Sequence, residues 1–174
     1  MENNGIVRRI DDLGRIVIPR EYRKLHGIDL GDPVEISAMQ NGEIIIKKVD
    51  VKSELIKNAK KIISPAEREI DGTLLVSDGE KWIWGRGDRK GEFVDMEVSK
   101  WVKNMIAHRE VFVGVDGEEN AGFGDGVNVI FYPAVSNGDC YGALCVISDL
   151  PFSPNTGTLV GILAKILGEY MNKY

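Results

Sequence analysis

The first 49 residues contain only short apolar stretches, and this feature most limits how the chain can fold. Gly5 to Ile10, Leu13 to Ile18, Pro33 to Met39 and Glu43 to Val49 are rich in β-branched residues, which is typical of short strands. A segment of about 45 to 50 residues built from such strands buries too little surface to be stable alone. It has no cysteine and no metal-ligand cluster to reinforce it. We therefore expect an obligate homodimer, in which hairpins exchanged with a second copy supply the missing core.

A short basic helix is predicted between the two pairs of strands, over Arg20 to His26. Pro19 suits its first position and Gly27 suits its C-terminal stop. The three-and-four spacing places Arg20, Arg23 and Lys24 on one face. The sequence therefore predicts a basic stripe, which dimerisation would double on one surface.

The net charge of −5 argues at first against a nucleic-acid partner, but the charges are unevenly distributed. Residues 5–28 hold six basic side chains against three acidic ones, whereas residues 51–174 hold 14 basic and 18 acidic. An arginine-rich cluster therefore lies on an acidic body. An ordinary solvated charged surface is the favoured interpretation of such a cluster taken alone. Because arginine side chains neutralise phosphates, a phosphate-bearing partner such as double-stranded DNA is the alternative. We assign the acidic pair Asp11 and Asp12 to turn formation or to pairing with Arg15 or Arg9.

The pattern after the first segment predicts an α+β domain with a largely antiparallel sheet. Val49 to Lys52 contains neither Pro nor Gly, so we expect an ordered junction and place the domains at residues 1–52 and 53–174. A helix capped by Ser53 or its neighbour follows, then a fresh capping signal at Ser64 to Glu67, and a later amphipathic helix is entered at Asp95. The predicted strands are Thr73 to Val76, Lys81 to Gly85, Val111 to Val115, Val127 to Val135 and Cys140 to Ile147, the last two joined by a hairpin at Asn137-Gly138-Asp139.

The last helix, roughly residues 155–172, is apolar nearly all round. Such a helix must be covered on more than one side. We read it, together with the helix over 53–63, as a second oligomer contact that would join dimers into a tetramer. Burial within one chain is the alternative.

Several classes of function have little support in the sequence. Cys140 and Cys145 are five residues apart in one predicted strand, so they face opposite sides and cannot pair; we expect two buried, inert thiols. The two histidines are isolated, so we predict no metal site, no cofactor and no catalytic set, and hence no enzyme. No signal peptide or membrane span is recognisable, so we expect a cytoplasmic protein.

Residues 5–49, GIVRRIDDLGRIVIPREYRKLHGIDLGDPVEISAMQNGEIIIKKV, closely resemble the DNA-binding domain of the AbrB family of transition-state regulators. The resemblance implies an intertwined swapped-hairpin β-barrel dimer that binds DNA in the bacterial nucleoid and regulates sporulation or stationary-phase genes. Lysine cannot make the two-pronged contact of arginine, so Lys24, where the family often has arginine, is expected to bind phosphate. The DNA-contacting residues implied are Arg8, Arg9, Arg15, Arg20, Arg23 and Lys24.

The C-terminal part resembles a GAF-type sensor domain through GTLLVSDGEKWIW, residues 72–84, and PAVSNGDCYGALCVIS, residues 133–148. This implies an antiparallel sheet flanked by helices, and it makes a small-molecule effector a candidate partner. Trp82, Trp84 and Tyr132 are candidate pocket residues. Residues 85–91 are interpreted as an exposed hairpin loop, and residues 117–126 as a mobile loop.

One alternative function remains at this point. Related swapped-hairpin domains bind toxins, so the chain could be an antitoxin-like protein-binding module. Those proteins normally carry a disordered tail, whereas this chain continues into a patterned domain of about 120 residues.

Overall fold

The computed structural model describes residues 5–117 and 121–172, and the chain divides into two compact units. Unit 1 ends at Val49 and unit 2 begins at Asp50, whereas the sequence placed the junction between residues 52 and 53. The reason is the cap of helix α2, Val51–Ile63, which is Asp50 rather than Ser53. The Asp50 carboxylate accepts hydrogen bonds from the Ser53 backbone N–H at 3.1 Å and from the Ser53 hydroxyl at 2.6 Å.

Unit 1 contains the predicted basic helix and the second predicted hairpin. Helix α1 covers Arg20–Leu25, and strands β1, Val34–Ala38, and β2, Ile44–Lys48, pair antiparallel with Ile36 opposite Ile46. Gly27 follows the C-terminal end of α1, and its positive φ of 61° lets the Ile28 N–H reach the Arg23 carbonyl at 2.8 Å. This is the αL ending that favours glycine.

The two strands predicted over residues 5–10 and 13–18 are absent as strands, although the turn between them forms. The Asp11 N–H donates to the Arg15 carbonyl at 3.0 Å, and the Gly14 N–H donates to the Asp11 carbonyl at 2.9 Å. A strand needs a neighbouring strand to accept its backbone hydrogen bonds. None of the described residues of this chain provides one for these two segments.

Unit 2 is built on a five-stranded antiparallel sheet. Its strands are β3, Thr73–Ser77, β4, Trp82–Arg86, β5, Phe112–Val115, β6, Asn128–Ser136, and β7, Asp139–Ser148, in the order β4-β3-β7-β6-β5. A two-residue turn joins β6 to β7 at Asn137 and Gly138, both of which have positive φ, as predicted. The sheet confirms the largely antiparallel α+β prediction.

Helices cover both faces of this sheet. On one face, α2 and the last helix α4, Thr156–Met171, pack over a cluster that includes Leu74, Leu144 and Val146. On the other face, α3, Lys100–His108, packs over a second cluster that includes Phe131 and Cys145. Unit 2 therefore has its own core in two layers, one on each side of the sheet.

Three local expectations for unit 2 need correction. Helix α3 begins after Ser99, whose hydroxyl accepts from the Val102 N–H at 3.2 Å, so the helix is not entered at Asp95. The capping signal at Ser64 leads into a 3-10 helix, Ser64–Glu69, in which no side chain caps the N-terminus. The segment after β4 is not a hairpin loop but a 3-10 helix, Asp88–Glu92.

The loop expected to be mobile is organised by Asp116, a carboxylate that is almost fully buried. Its oxygens accept from the backbone N–H groups of Ala121 and Phe123, both at 2.7 Å, and of Gly124 at 3.1 Å. Phe123 itself is buried in the α3-side cluster. Two residues of the described part of this loop, Ala121 and Phe123, are therefore anchored in the core, while the residues around them stay exposed.

The two thiols differ in environment. Cys145 is buried, and burial raises the pKa of its thiol well above the usual value. Cys140 is only half-buried; burial raises the pKa of this thiol also, and the thiol donates to the Gly142 carbonyl at 3.3 Å. In the described part of the chain, no helix is both long and apolar enough to cross a bilayer.

Candidate nucleic-acid interface

Three of the six predicted DNA-contacting residues lie on α1. Arg20, Arg23 and Lys24 share one face of this six-residue helix; Arg20 and Lys24 are exposed and Arg23 is half-buried. Within residues 5–49, no acidic side chain lies within salt-bridge distance of any of the three. These cations are therefore available to an external anion.

Arg15 is held in place by the turn at Asp11. Its Nε lies 2.8 Å from an Asp11 carboxylate oxygen, and the backbone N–H groups of Leu13 and Arg15 donate to the same carboxylate at 3.0 and 2.8 Å. Hydrogen bonds from the Arg15 backbone and then from its side chain hold the pKa of Asp11 below the usual value. The Arg15 side chain nevertheless remains 71% exposed. This confirms the predicted pairing of Asp11.

Arg8 and Arg9 lie in the extended segment before the turn, and both are exposed. The only hydrogen bond of the Arg8 guanidinium to a described residue goes to the Val7 carbonyl at 3.3 Å. All six predicted cations thus belong to the surface of unit 1, and of these six only Arg15 has a carboxylate partner among residues 5–49.

Sequence reasoning missed Lys48, which links strand β2 to the end of α1 and to the turn before β1. Its amine donates to the Gly27 carbonyl at 2.7 Å, just after α1, and lies 2.6 Å from an Asp32 carboxylate oxygen. The Asp32 oxygen also accepts the Asp29 N–H at 2.7 Å. The hydrogen bond between Asp32 and Lys48 lowers the pKa of the acid and raises that of the amine. Lysine side chains often donate to the carbonyls at the end of a helix, so the lysines of β2 could have been predicted to bind the carbonyls that follow α1.

Unit 1 has no buried residue among those described, residues 5–49. Its apolar side chains surround an open cavity of about 470 Å³. Val7, Ile10, Leu13, Val17, Leu25 and Leu30 are strongly exposed. The cavity is lined by Gly5, Ile6, Arg8, Ile16, Val17, Ile18, Pro19, Tyr22, His26, Ile28, Ile44 and Ile46.

The structure does not bring together the three aromatic residues considered for a ligand pocket in unit 2. Trp82 packs on the α3 side, 5.7 Å from the Phe123 ring, whereas Trp84 and Tyr132 pack on the α2 and α4 side. A β-bulge separates the two tryptophans, because Val76 pairs with Trp84 and the next residue, Ser77, pairs with Trp82. Period-two alternation would have placed both on one face, so the sequence alone could not show this.

Tyr132 packs directly against helix α4. A Cβ placed on Gly161 of α4 would lie 2.8 Å from the Tyr132 ring, so helix and ring are in direct contact. In the described part of the chain, no three His, Cys, Asp or Glu side chains gather in a way that could hold a metal ion.

Comparison with known proteins places both units. Residues 7–54 match the family described as "Antidote-toxin recognition MazE, bacterial antitoxin". The N-terminal part is 48% identical over 48 residues to the transition state regulatory protein AbrB of Bacillus subtilis (strain 168), covering 28% of this chain and 49% of AbrB. Unit 1 is therefore an AbrB-like domain.

Unit 2 has the GAF fold. The GAF-B domain of DevS from Mycobacterium smegmatis superposes with a TM-score of 0.50 at 15% identity, covering 71% of this chain and 94% of that domain. An AbrB-like domain followed by a GAF-like domain defines the class of this protein. The chain is also 34% identical over 152 residues to stage V sporulation protein T of B. subtilis (strain 168), which covers 85% of each chain. It belongs to the family of stage V sporulation protein T.

Proposed function

We propose that this chain is a sequence-lenient DNA-binding transcription regulator of sporulation or stationary-phase genes. The carrying observation is the set of six predicted cations on the surface of unit 1, five of which are exposed and five of which have no carboxylate partner among residues 5–49. They lie in the segment most similar to a transition state regulator. Guanidinium and ammonium groups bind phosphates and release counterions, which supplies affinity for any duplex.

Unit 1 acts as an intertwined dimer in this proposal. Two observations support it: no described residue of unit 1 is buried, and its apolar side chains line an open cavity of about 470 Å³. The segments over residues 5–10 and 13–18 have backbone groups that no described strand of this chain pairs with. Strands from a second copy would fill the cavity and complete the ladder. The same pairing would duplicate the cationic surface.

Recognition by such a surface depends more on DNA shape than on base edges. Helix α1 has six residues and is too short to act as a long recognition helix in the major groove. Arginines on a turn and a short helix suit phosphates and narrowed minor grooves. We therefore expect a degenerate, AT-rich binding site.

The surface of α4 supports a second contact between copies, which would join dimers into a tetramer together with α2. Ile162, Ile166 and Tyr170 recur every four residues on the outer face of α4 and are exposed. The Lys61 amine of α2 lies 5.4 Å from the Tyr170 ring centre, so the two helices form one continuous surface. Apolar surface of this kind is stabilised by a partner.

An effector bound by unit 2 would act through α2. This helix packs on the same sheet face as α4 and begins directly after unit 1 at Val51. A change of packing in unit 2 would alter α2 and thereby the spacing of the two basic surfaces. Amide exchange over residues 5–63 tests this, because an effector that leaves both exchange and DNA affinity unchanged has no such role.

The DNA-binding proposal is tested by fluorescence anisotropy of a labelled AT-rich duplex at several salt concentrations. The variant replaces Arg9, Arg20 and Lys24 with Ala. These side chains are exposed and make no salt bridge within residues 5–49, so their loss should not disturb the fold of unit 1. The control variant replaces three exposed lysines of unit 2, Lys90, Lys100 and Lys165, with Ala, which changes the net charge equally.

We expect affinity to fall steeply with salt for the unmodified chain and the control. In the Arg9, Arg20 and Lys24 variant, the log-log slope should flatten by roughly 0.9 for each phosphate that the protein no longer neutralises. Equal slopes for the two variants would contradict the proposal, since binding would then follow total charge rather than the unit 1 surface.

A second candidate function is that of an antitoxin-like module, which the family match over residues 7–54 favours. In that case unit 1 would bind a protein. Stoichiometric copurification of a small partner protein, together with salt-insensitive or absent DNA binding, would favour this function.

A further inference from the structure

Strand β5 forms one edge of the sheet of unit 2. It pairs with β6 on one side, with Val113 opposite Ile130, and no described residue pairs with its other side. Proteins usually protect an edge strand by keeping it very short, or with lysine, proline or a bulge. Strand β5 is short, with four residues, but its sequence FVGV contains no lysine or proline and its register with β6 is unbroken.

The outward-facing backbone groups of β5 can be identified from its pairing. The Asp116 N–H donates to the Val127 carbonyl at 2.7 Å, so Asp116 forms a hydrogen-bonded pair with β6. Hydrogen-bonded and non-hydrogen-bonded pairs alternate along antiparallel strands. Gly114 and Phe112 therefore also bond to β6, and Val111, Val113 and Val115 direct their N–H and C=O groups away from the sheet.

The same three valines form an exposed apolar row. Val111 is 51%, Val113 59% and Val115 54% exposed. Alternation places their side chains on one face, and this is the face covered by α4, because Val113 lies opposite the buried Ile130 and 3.9 Å from the Cβ position of Gly157. The row thus extends the apolar surface of the sheet beyond the cover of α4.

We propose that β5 pairs antiparallel with β5 of a second copy, about a two-fold axis at Val113. In this register Val113 faces Val113 of the other copy, and Val111 faces Val115 at both ends. The three residues with free outward backbone groups would form six hydrogen bonds. The three exposed valines would also meet one another as β-branched cross-strand pairs, which stabilise sheets. Strand β5 is complementary to a second β5 both in its backbone hydrogen bonds and in its row of valines. The occupant is therefore a second copy of this chain.

The charges beside the strand fit this arrangement. Arg109 precedes β5, and at the other end an Asp125 carboxylate oxygen lies 3.4 Å from the Cβ position of Gly117. Antiparallel pairing brings the Arg109 end of one copy to the Asp125 end of the other. The Arg109 guanidinium donates to the Gly138 carbonyl of its own β6–β7 turn, so it would have to leave that contact to pair with Asp125. Glu110 would face Asp116, but the Asp116 carboxylate is turned inward to three backbone N–H groups of its own loop.

A pairing of five residues buries less surface than a stable isolated dimer needs, which is about 800 Å² per partner. The contact would therefore form between chains already held together, so the inference rests on the proposed self-association of unit 1. It is distinct from the α4 contact, since it uses the edge of the sheet rather than the outer face of a helix.

The test is disulfide crosslinking of the full chain in a Cys140→Ser background, with the mass measured by sedimentation. A Val113→Cys variant places two thiols on the two-fold axis, where paired Cα atoms lie about 5.5 Å apart, within disulfide range. We expect a covalent dimer on mild oxidation. Val115→Cys alone is the matched control, because Val115 faces Val111 and should not crosslink to itself. A mixture of Val111→Cys and Val115→Cys proteins should crosslink.

Absence of the Val113 crosslink overturns the strand pairing whatever the mass of the protein. Equal crosslinking at positions 113 and 115 overturns it also, since random collision or another register would explain both. A protein that is monomeric by sedimentation before oxidation yet crosslinks at Val113 would refute the unit 1 dimer and also the dependence of the strand contact on that dimer.

A second variant tests the contact without cysteine. Val113→Lys would place two like charges directly opposite each other across the axis. We expect the protein concentration needed to form the largest oligomer seen by sedimentation to rise at least about tenfold. Met96→Lys, at another exposed apolar residue of unit 2, is the control and should leave assembly unchanged. Unchanged assembly in Val113→Lys counts against the proposal.

Discussion

Individual aspartates organise much of this chain by accepting backbone hydrogen bonds. Asp11 closes the turn before Arg15, Asp50 caps α2, and Asp116 holds the loop that carries Phe123. The sequence predicted the role of Asp11, because an Asp-Asp pair with a glycine two residues further on is a local turn signal. It could not predict Asp116, whose partners lie five to eight residues away around a loop with no periodic pattern.

The Asp11 turn makes a prediction about acid titration. Since the pKa of Asp11 is lowered in the folded state, its contribution to stability is present above the unfolded pKa, about 3.9, and is lost as pH falls through the lower folded value. In Arg15→Ala, the side-chain hydrogen bond is lost but the backbone N–H groups remain. We therefore expect the Asp11 titration midpoint, followed by NMR, to rise only partway towards the usual value.

Asp50 is the internal control for that titration. Its pKa is lowered by the Ser53 hydroxyl and backbone, so Arg15→Ala should leave its midpoint unchanged. A full return of Asp11 to the usual value would mean that the Arg15 side chain, rather than the backbone, dominates the turn.

Secondary-structure elements that carry their own signals were predicted well, and elements that depend on long-range contacts were not. The β6–β7 hairpin has the Asn-Gly turn, and α4 has a long apolar repeat, so both follow from local patterns. The segments over residues 5–18 have strand composition but no partner strand among the described residues of the chain. The bulge between Trp82 and Trp84 depends on how β3 and β4 pair, which composition does not encode.

The contact of α4 with β6 depends on two closely packed glycines, Gly161 and Gly168, and it can be tested by adding a methyl group. A Cβ on Gly168 would lie 2.5 Å from the Val135 carbonyl oxygen, whereas on Gly157 it would lie 3.9 Å from the nearest atom. We expect Gly168→Ala to lower the free energy of unfolding by about 1 to 3 kcal/mol. Gly157→Ala should raise it by up to about 1 kcal/mol through helix propensity.

Urea unfolding followed by tryptophan fluorescence measures this difference, because all three tryptophans lie in unit 2. Two variants of equal stability would indicate that α4 can shift away from β6 at no cost.

The two units of the molecule differ in whether a single chain provides a hydrophobic core. Unit 2 buries two clusters on the two faces of its sheet, whereas unit 1 buries none of its described residues. The charges divide in the same manner, with the basic cluster on unit 1 and the acidic excess on unit 2. A negative chain can therefore present a local cationic surface, which the total charge conceals.

This difference predicts that dilution affects the two units unequally. The proposed dimer of unit 1 is linked to protein concentration by mass action, so about a thousandfold dilution should greatly increase amide exchange over residues 5–49. The core strands of unit 2, such as β3 and β7, should keep their protection. Hydrogen exchange followed by mass spectrometry measures both regions in one sample. Equal protection of unit 1 at both concentrations would show that one copy is stable by itself.

The strand order of unit 2 also determines when the sheet can form during synthesis. Strand β3 lies between β4 and β7, and β7 ends at Ser148, 71 residues after β3 ends at Ser77. Closing so long a loop before its contacts form slows folding. Unit 1 leaves the ribosome first, so it is exposed to other nascent copies while the sheet that follows it is still incomplete.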